Sequence, residues 1–409
     1  MLSPVTGTLS SMNVYREPLF DEVDRTDVTH SSHQESSFEF LNRIAGGYWD
    51  QPRSLMQEWL NRINSDSDYT DLRQRFRSRD DEQFRSAFLE LYLHESLLRA
   101  GFAVTIHPSI EGTTPRPDFL VERDDERIYV EAIAPGTNPA AKAAAQRRAA
   151  LFDTVNRLDD PNVMLWLDNL VEGANPPPAA RLRADLGRWL AELDPDAAWD
   201  VESAPSRQWQ HDGWSVTFKP IPKNPEARGR RTNSRAIGVY GHTGVDWIDD
   251  APSIRKALTT KHHEYGDLDA PFIIAVGTYI HDRDRWHTTN AMYGVAAIEW
   301  SEGRDGEMMT REVRQPDGYF GVPPDWQHRH VSGVLLINQL MPYHFQRAEV
   351  TLWRHPNPVY ALPDEVGIPG YGLALNGGKL TEVPPASTAE DFFGLPNPWP
   401  AGQAWPDED

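Results

Sequence analysis

Residues 117–134 read Pro-Asp-Phe-Leu-Val-Glu-Arg-Asp-Asp-Glu-Arg-Ile-Tyr-Val-Glu-Ala-Ile-Ala. Two runs of alternating polarity flank Asp124-Asp125, a pair suited to a tight turn, so the stretch predicts an antiparallel hairpin. If the turn centres between the two aspartates, Glu122 lies opposite Arg127, Leu120 opposite Tyr129, and Asp118 opposite Glu131. The first pair is a sensible cross-strand ion pair and supports the register. The last sets two carboxylates roughly 5 Å apart at Cβ, where like charges destabilise a sheet. A divalent cation between them is the simplest remedy. A slip of one residue would send the two acids to opposite faces.

Working outward, the chain before the hairpin is helical. An apolar stripe of Leu55, Met56, Trp59, Leu60 and Ile63 marks one helix from Pro52, residues 69–78 a second, and residues 81–100, stopped by Gly101, a third. Within the third, Glu95 has Arg99 one turn later and reads as a surface pair. Glu90 shares its stripe with Ser86, has only His94 at that spacing, and lacks an evident structural partner. It is the preferred acid to join the pair, with Glu95 next. Residues 102–107 form a strand ahead of the hairpin. After it come a helix over 138–158, a strand over 162–171 and a helix over 179–193. The expected order is α-β-β-β-α-β, followed by one more helix.

This order, with Glu90, Pro117-Asp118 and Glu131 placed on it, resembles the PD-(D/E)XK restriction-endonuclease-like superfamily. The resemblance spans about residues 80–172, under a quarter of the 409-residue chain. It implies an α/β fold with an αβββαβ core and Mg²⁺-dependent phosphodiester hydrolysis in DNA, with Mn²⁺ as a substitute ion. It also implies that Asp118, Glu131 and the Ala132 carbonyl are metal ligands, with Glu90 an outer acid. The phrases 117–121 and 129–132 are further similar to uncharacterised bacterial proteins often assumed to be nucleases. One departure stands out. The superfamily lysine falls two residues after the acid, where this chain has Ile133. Some members draw the amine from the following helix, so Lys142 and Gln146, which share a helix face, are candidate substitutes; solvated helix surface is the competing reading.

The expected organisation is a loose segment 1–37, a helical segment 38–79, the core 80–195, a C-terminal α/β portion 196–370 and an acidic, Pro-rich tail 371–409. The first segment and the tail are both expected to stand outside the folded body. The net charge of −21 argues against general coating of nucleic acid but leaves room for a local basic cleft. Lys219, Lys223, Arg228, Arg230, Arg231 and Arg235 fall within 17 residues holding one acid, Glu226. With Trp209 and Trp214 nearby to stack on bases, this loop is a candidate nucleic-acid contact; a solvated loop beside core tryptophans explains it equally well. His281, Asp282, Asp284 and His287, and the run His328-Arg329-His330, are weaker candidates for a second metal centre. His262-His263-Glu264 at a helix end equally suits compensation of the helix dipole.

No Gly-rich phosphate loop or nucleophile elbow occurs, and no cysteine is present for a disulfide or thiolate site. No apolar run approaches the roughly 18 residues of a membrane span, and no leader pattern is visible, so a cytoplasmic location follows by elimination. Expected partners are DNA, single- or double-stranded, and a second copy of the chain or another protein. A binding module that kept this fold and lost its chemistry is the rival reading, and Ile133 is its main support.

Overall fold

The computed structural model describes residues 16–405, apart from 137, 159, 198–202, 230–234, 241–249, 262–263 and 303–306. Four helices open the described chain: α1 (Ser37–Arg43), α2 (Gly47–Asn61), α3 (Asp66–Phe76) and α4 (Asp81–Arg99). Helix α4 starts where Asp80 accepts a hydrogen bond from the Glu82 amide, and Asp81 and Glu82 complement its dipole. It ends at Gly101, which adopts φ +87°, a conformation costly for other residues. Between those ends α4 buries eleven residues from Phe84 to Leu97, because it lies between the other helices and a sheet.

Strands β1 (Ala103–Ile106), β2 (Phe119–Arg123) and β3 (Glu126–Ile133) follow, then α5 (Pro139–Asn156), β4 (Val163–Val171) and α6 (Ala179–Ala191). Next come β5 (Arg207–His211), β6 (Trp214–Pro222), β7 (Ile237–Tyr240), α7 (Ala251–Lys261) and β8 (Phe272–Thr278). Helix α8 (Trp286–Tyr293), the hairpin β9 (Ala296–Glu302) and β10 (Met308–Arg314), β11 (Gly333–Asn338) and β12 (Glu349–Arg354) lead to β13 (Tyr371–Asn376), β14 (Lys379–Val383) and α9 (Ala389–Phe393).

The protein is mixed α/β. Eight strands make the main sheet in the order β1-β2-β3-β8-β11-β12-β13-β14, and β5-β6-β4-β7 form a second sheet. The hairpin β2–β3 has the register expected from sequence, with Phe119 opposite Val130 and Glu122 opposite Arg127. Beyond β3 the neighbour is β8, parallel, with Glu131 opposite Ile274 and Ile133 opposite Val276. Alternation along these strands divides the core. Phe119, Val121, Val130 and Ile273 pack under α1–α4, while Tyr129, Phe272, Ile274 and Val276 pack with α7 and α8.

Three expectations change. The strand over 162–171, read as the last element of the core, does not join the main sheet. It pairs with β6 and β7, so α5 to β7 form a lobe with its own apolar centre of Leu151, Leu186, Phe218 and others. The element taking the place beside β3 is β8, and the helix leading into it is α7.

Residues 16–37 are not loose. Leu19 and Phe20 are buried, Phe20 stacks on Phe38 at 5.6 Å, and Arg16 reaches Asp66 and the Ile63 carbonyl. The acidic tail is not outside the body either. Its strand β14 closes the sheet edge, and Phe393 lies 5.1 Å from Trp59 in the aromatic centre that also holds Phe345. Trp399 is buried and donates its indole N–H to the Pro342 carbonyl at 2.9 Å. Aromatic anchors outweigh the repulsion of the few acids in the described part of the tail, of which Glu382 and Asp391 face solvent. Among the described residues no helix is long and apolar enough to cross a membrane.

Candidate active site

Asp118 stands one residue before β2, so its carboxylate emerges where that strand meets the C-terminal end of β3. Its backbone carbonyl accepts from the His107 amide at 2.9 Å, and its Oδ2 accepts from the Ala132 amide at 2.7 Å. The nearest ring atom to Oδ1 in an ion-pair sense is His107 Nε2, at 3.8 Å. Burial, then the charges of Glu131 and Glu90, push the Asp118 carboxyl up to about 8, against the opposing pull of the Ala132 N–H and Lys261. Two carboxyls within Coulombic reach thus share a low-dielectric place.

Glu131 is 3% exposed on the face of β3 that meets α7. Tyr265 donates its hydroxyl to Oε2 at 2.5 Å, and the Lys261 ammonium lies 3.2 Å from Oε1. Burial raises the Glu131 carboxyl, and these two donors oppose the rise without cancelling it. Although burial opposes the charged form of Lys261, hydrogen bonding to Glu264 at 2.9 Å and the charge of Glu131 hold it above its usual value. The phenol of Tyr265 is pushed far up by burial and by the adjoining Glu131. Lys261 and Tyr265 are one helical turn apart in number and converge on one carboxylate.

Neither was singled out from sequence. Both lie well over a hundred residues beyond Glu131, across the inserted lobe. A usable signal was there: a Lys-x-x-x-Tyr spacing a few residues ahead of the mostly apolar strand over 271–279.

The other expected site residues are distributed as follows. Glu90 does have a structural partner, Arg75 of α3, which holds both carboxylate oxygens at 2.6 Å and also binds Asp71. Glu90 still lines a small pocket with Asp118, His94 and His107. Glu95 is fully buried rather than on the surface, between Arg62 at 2.6 Å and Arg99 at 2.5 Å. At Ala132 the contact with Asp118 is made by the amide N–H. Lys142 is tied to Asp80 at 2.7 Å and Glu82 at 3.5 Å, and Gln146 is exposed on the same helix. The helix that follows β3 in the chain is therefore not the one that covers Glu131.

The basic loop is largely committed to the protein itself. Lys219 lies 3.7 Å from Asp168 and over the Trp166 ring. Lys223 donates to the Asp160 carbonyl, Arg228 to Asp196 and the carbonyls of Pro195 and Lys223, and Arg235 to Ser31. Arg230 and Arg231 lie outside the described residues, as do His262 and His263. Trp209 and Trp214 are buried in the lobe's core and have no face free for a base.

Asp282 is a helix cap, accepting from the amides of His287 and Thr288 at the start of α8. Ring stacking at 4.4 Å joins His328 to Tyr319.

The donor set suits a hard cation: the buried Glu131 carboxylate and the half-buried Asp118 carboxylate, the latter loaded by its neighbours' charge. Among the described residues no group of three or more His, Asp or Glu side chains is gathered to hold a metal, consistent with the capture of Glu90 by Arg75. Comparison with protein-family models, curated proteins and solved structures yields no match.

Proposed function

We propose that α4-β1-β2-β3 together with α7-β8 form a restriction-endonuclease-like αβββαβ core, interrupted by the lobe from α5 to β7, and that the protein is a divalent-metal-dependent nuclease acting on DNA. The observation that carries this reading is the Lys261 ammonium 3.2 Å from Glu131. Ile133 packs among the apolar side chains beneath α7 and supplies no charge, so the amine the chemistry needs comes from the helix crossing over β3. Asp118 and Glu131 would hold Mg²⁺ or Mn²⁺. Such an ion, when bound, polarises a phosphoryl oxygen and acidifies water. Lys261 orients a water near Glu131 and offsets charge developing on the phosphoryl group. Tyr265 fixes the Glu131 rotamer through its hydroxyl, and the Ala132 amide does the same for Asp118.

The rival is a module that binds nucleic acid or a protein partner without cutting. It is favoured by the engagement of both oxygens of Glu131 and both of Glu90 by the protein's own donors. Titration of purified protein with Mg²⁺ and Mn²⁺ on supercoiled plasmid and single-stranded circles decides between them. Cleavage by wild type that is lost in Asp118→Ala and Lys261→Ala supports the nuclease. Wild type that cuts under no divalent ion, or cuts no better than Asp118→Ala, refutes it. Calorimetric binding of DNA without any divalent ion would then point to the module.

A further inference from the structure

A cavity of about 310 Å³ opens beside Tyr265, lined by Phe272, Leu268, His330, Val359 and Tyr360. The mechanism above leaves it unused. Its place relative to the site follows from the sheet. Ile274 is level with Glu131 in the β3–β8 register, and Phe272 is two residues back on the same face, roughly 7 Å away at strand spacing. Tyr265 spans that distance, with its hydroxyl on Glu131 and its ring edge-on to Phe272 at 5.9 Å. A nucleotide whose phosphate lay against Lys261 and Glu131 would carry its own base toward the cavity, which lies on the same face of the sheet.

The walls fit such a base. Tyr265, Phe272, Tyr360 and His330 offer ring faces and edges, and Val359 offers an aliphatic side. Tyr360 and Val359 are 41% and 57% exposed, large apolar surfaces left at the mouth. Asp267, exposed and also lining the cavity, presents acceptors only. An exocyclic amine at the edge of cytosine, adenine or guanine would satisfy it; thymine offers only its N3–H, set between two carbonyl oxygens that a carboxylate repels. Gly266, at φ +65°, lets the chain turn between Tyr265 and Asp267. A base within a stacked duplex cannot enter such a pocket.

We propose that this cavity receives one unstacked, amine-bearing nucleobase next to the phosphodiester to be cut, so that the substrate is single-stranded or locally opened DNA. The proposal rests on the nuclease reading.

Fluorescence anisotropy with 5′-labelled deoxycytidine and deoxythymidine decamers, in EDTA so that no cutting occurs, tests it directly. Tyr360→Ala should weaken binding of the cytidine decamer about tenfold, the effect of losing one base–aromatic stack. The thymidine decamer should bind wild type more weakly, and Asp267→Asn should narrow the gap. Both residues are exposed, so matching circular dichroism and melting temperature confirm that the variants fold. Equal affinity of Tyr360→Ala and wild type, or no binding of either decamer by wild type, overturns the pocket. The nuclease reading is judged apart: plasmid nicking in Mg²⁺ that persists in Tyr360→Ala with unchanged KM keeps the nuclease and removes the pocket. Base-dependent binding without nicking in any divalent ion removes the nuclease alone.

Discussion

Replacing Asp118 with Asn should stabilise the metal-free protein, and by more as pH rises. The side chain keeps its shape, and its carbonyl oxygen can still accept from the Ala132 amide, so the variant removes charge and little else. The sign follows from the raised carboxyl. A group whose folded pKa lies above its unfolded value contributes stability that is complete below the unfolded value and is lost as pH climbs through the folded one. For Asp118 that window runs from 3.8 to about 8. At about 1.4 kcal/mol per unit, the wild-type penalty relative to the neutral group grows to about 2 kcal/mol at pH 5 and about 4 kcal/mol at pH 7.

Urea unfolding followed by tryptophan fluorescence, in EDTA at both pH values, measures the difference between variant and wild type. On the proposed metal site, saturating Mg²⁺ should narrow or reverse the difference near pH 7.5, because only the wild type would then gain binding energy linked to folding. A variant less stable than wild type at pH 7, or a difference that does not change with pH, would refute the account of Asp118 as a carboxyl under electrostatic load.

On the nuclease reading, Lys261→Ala should cut Mg²⁺-dependent turnover at least a hundredfold, while Lys142→Ala leaves turnover within twofold and the melting temperature unchanged; plasmid nicking beside thermal melts checks both. Arg75→Ala strands the Glu90 carboxylate and should cost about 3 kcal/mol, read by urea unfolding, with Arg75→Ala/Glu90→Gln recovering most of it. Truncation before residue 389 removes Phe393 and Trp399 from the aromatic centre and should lower the melting temperature by several degrees or prevent soluble expression, contrary to the behaviour of a detached tail.

Much of the local structure was legible, because its determinants are close in sequence. The Glu122–Arg127 pair and the Asp124 turn set the hairpin register, and the caps of α4 set its length. What was hidden is long-range. Nothing near Glu131 says that its neighbouring strand begins at Phe272, so the helix next in the chain, with Lys142, took the place that belongs to α7 and Lys261. Glu90 looked unpartnered because Arg75 is on another helix. Trp209 and Trp214 sit beside a basic loop in sequence, but alternation turns them into the lobe. The tail's charge drew attention from its aromatics, whose burial only the folded body reveals.

The lobe spliced between β3 and β8 has a kinetic consequence. Glu131 and Tyr265 are 134 positions apart, so closing that contact in a disordered chain costs on the order of 4 kcal/mol of entropy beyond a constant. A lobe that collapses first, around its separate interior, shortens the tether and brings the two halves of the constellation within reach. The Lys261–Glu131–Tyr265 cluster should then be among the last features to form on refolding, and variants that loosen the lobe should delay it without touching any of its side chains.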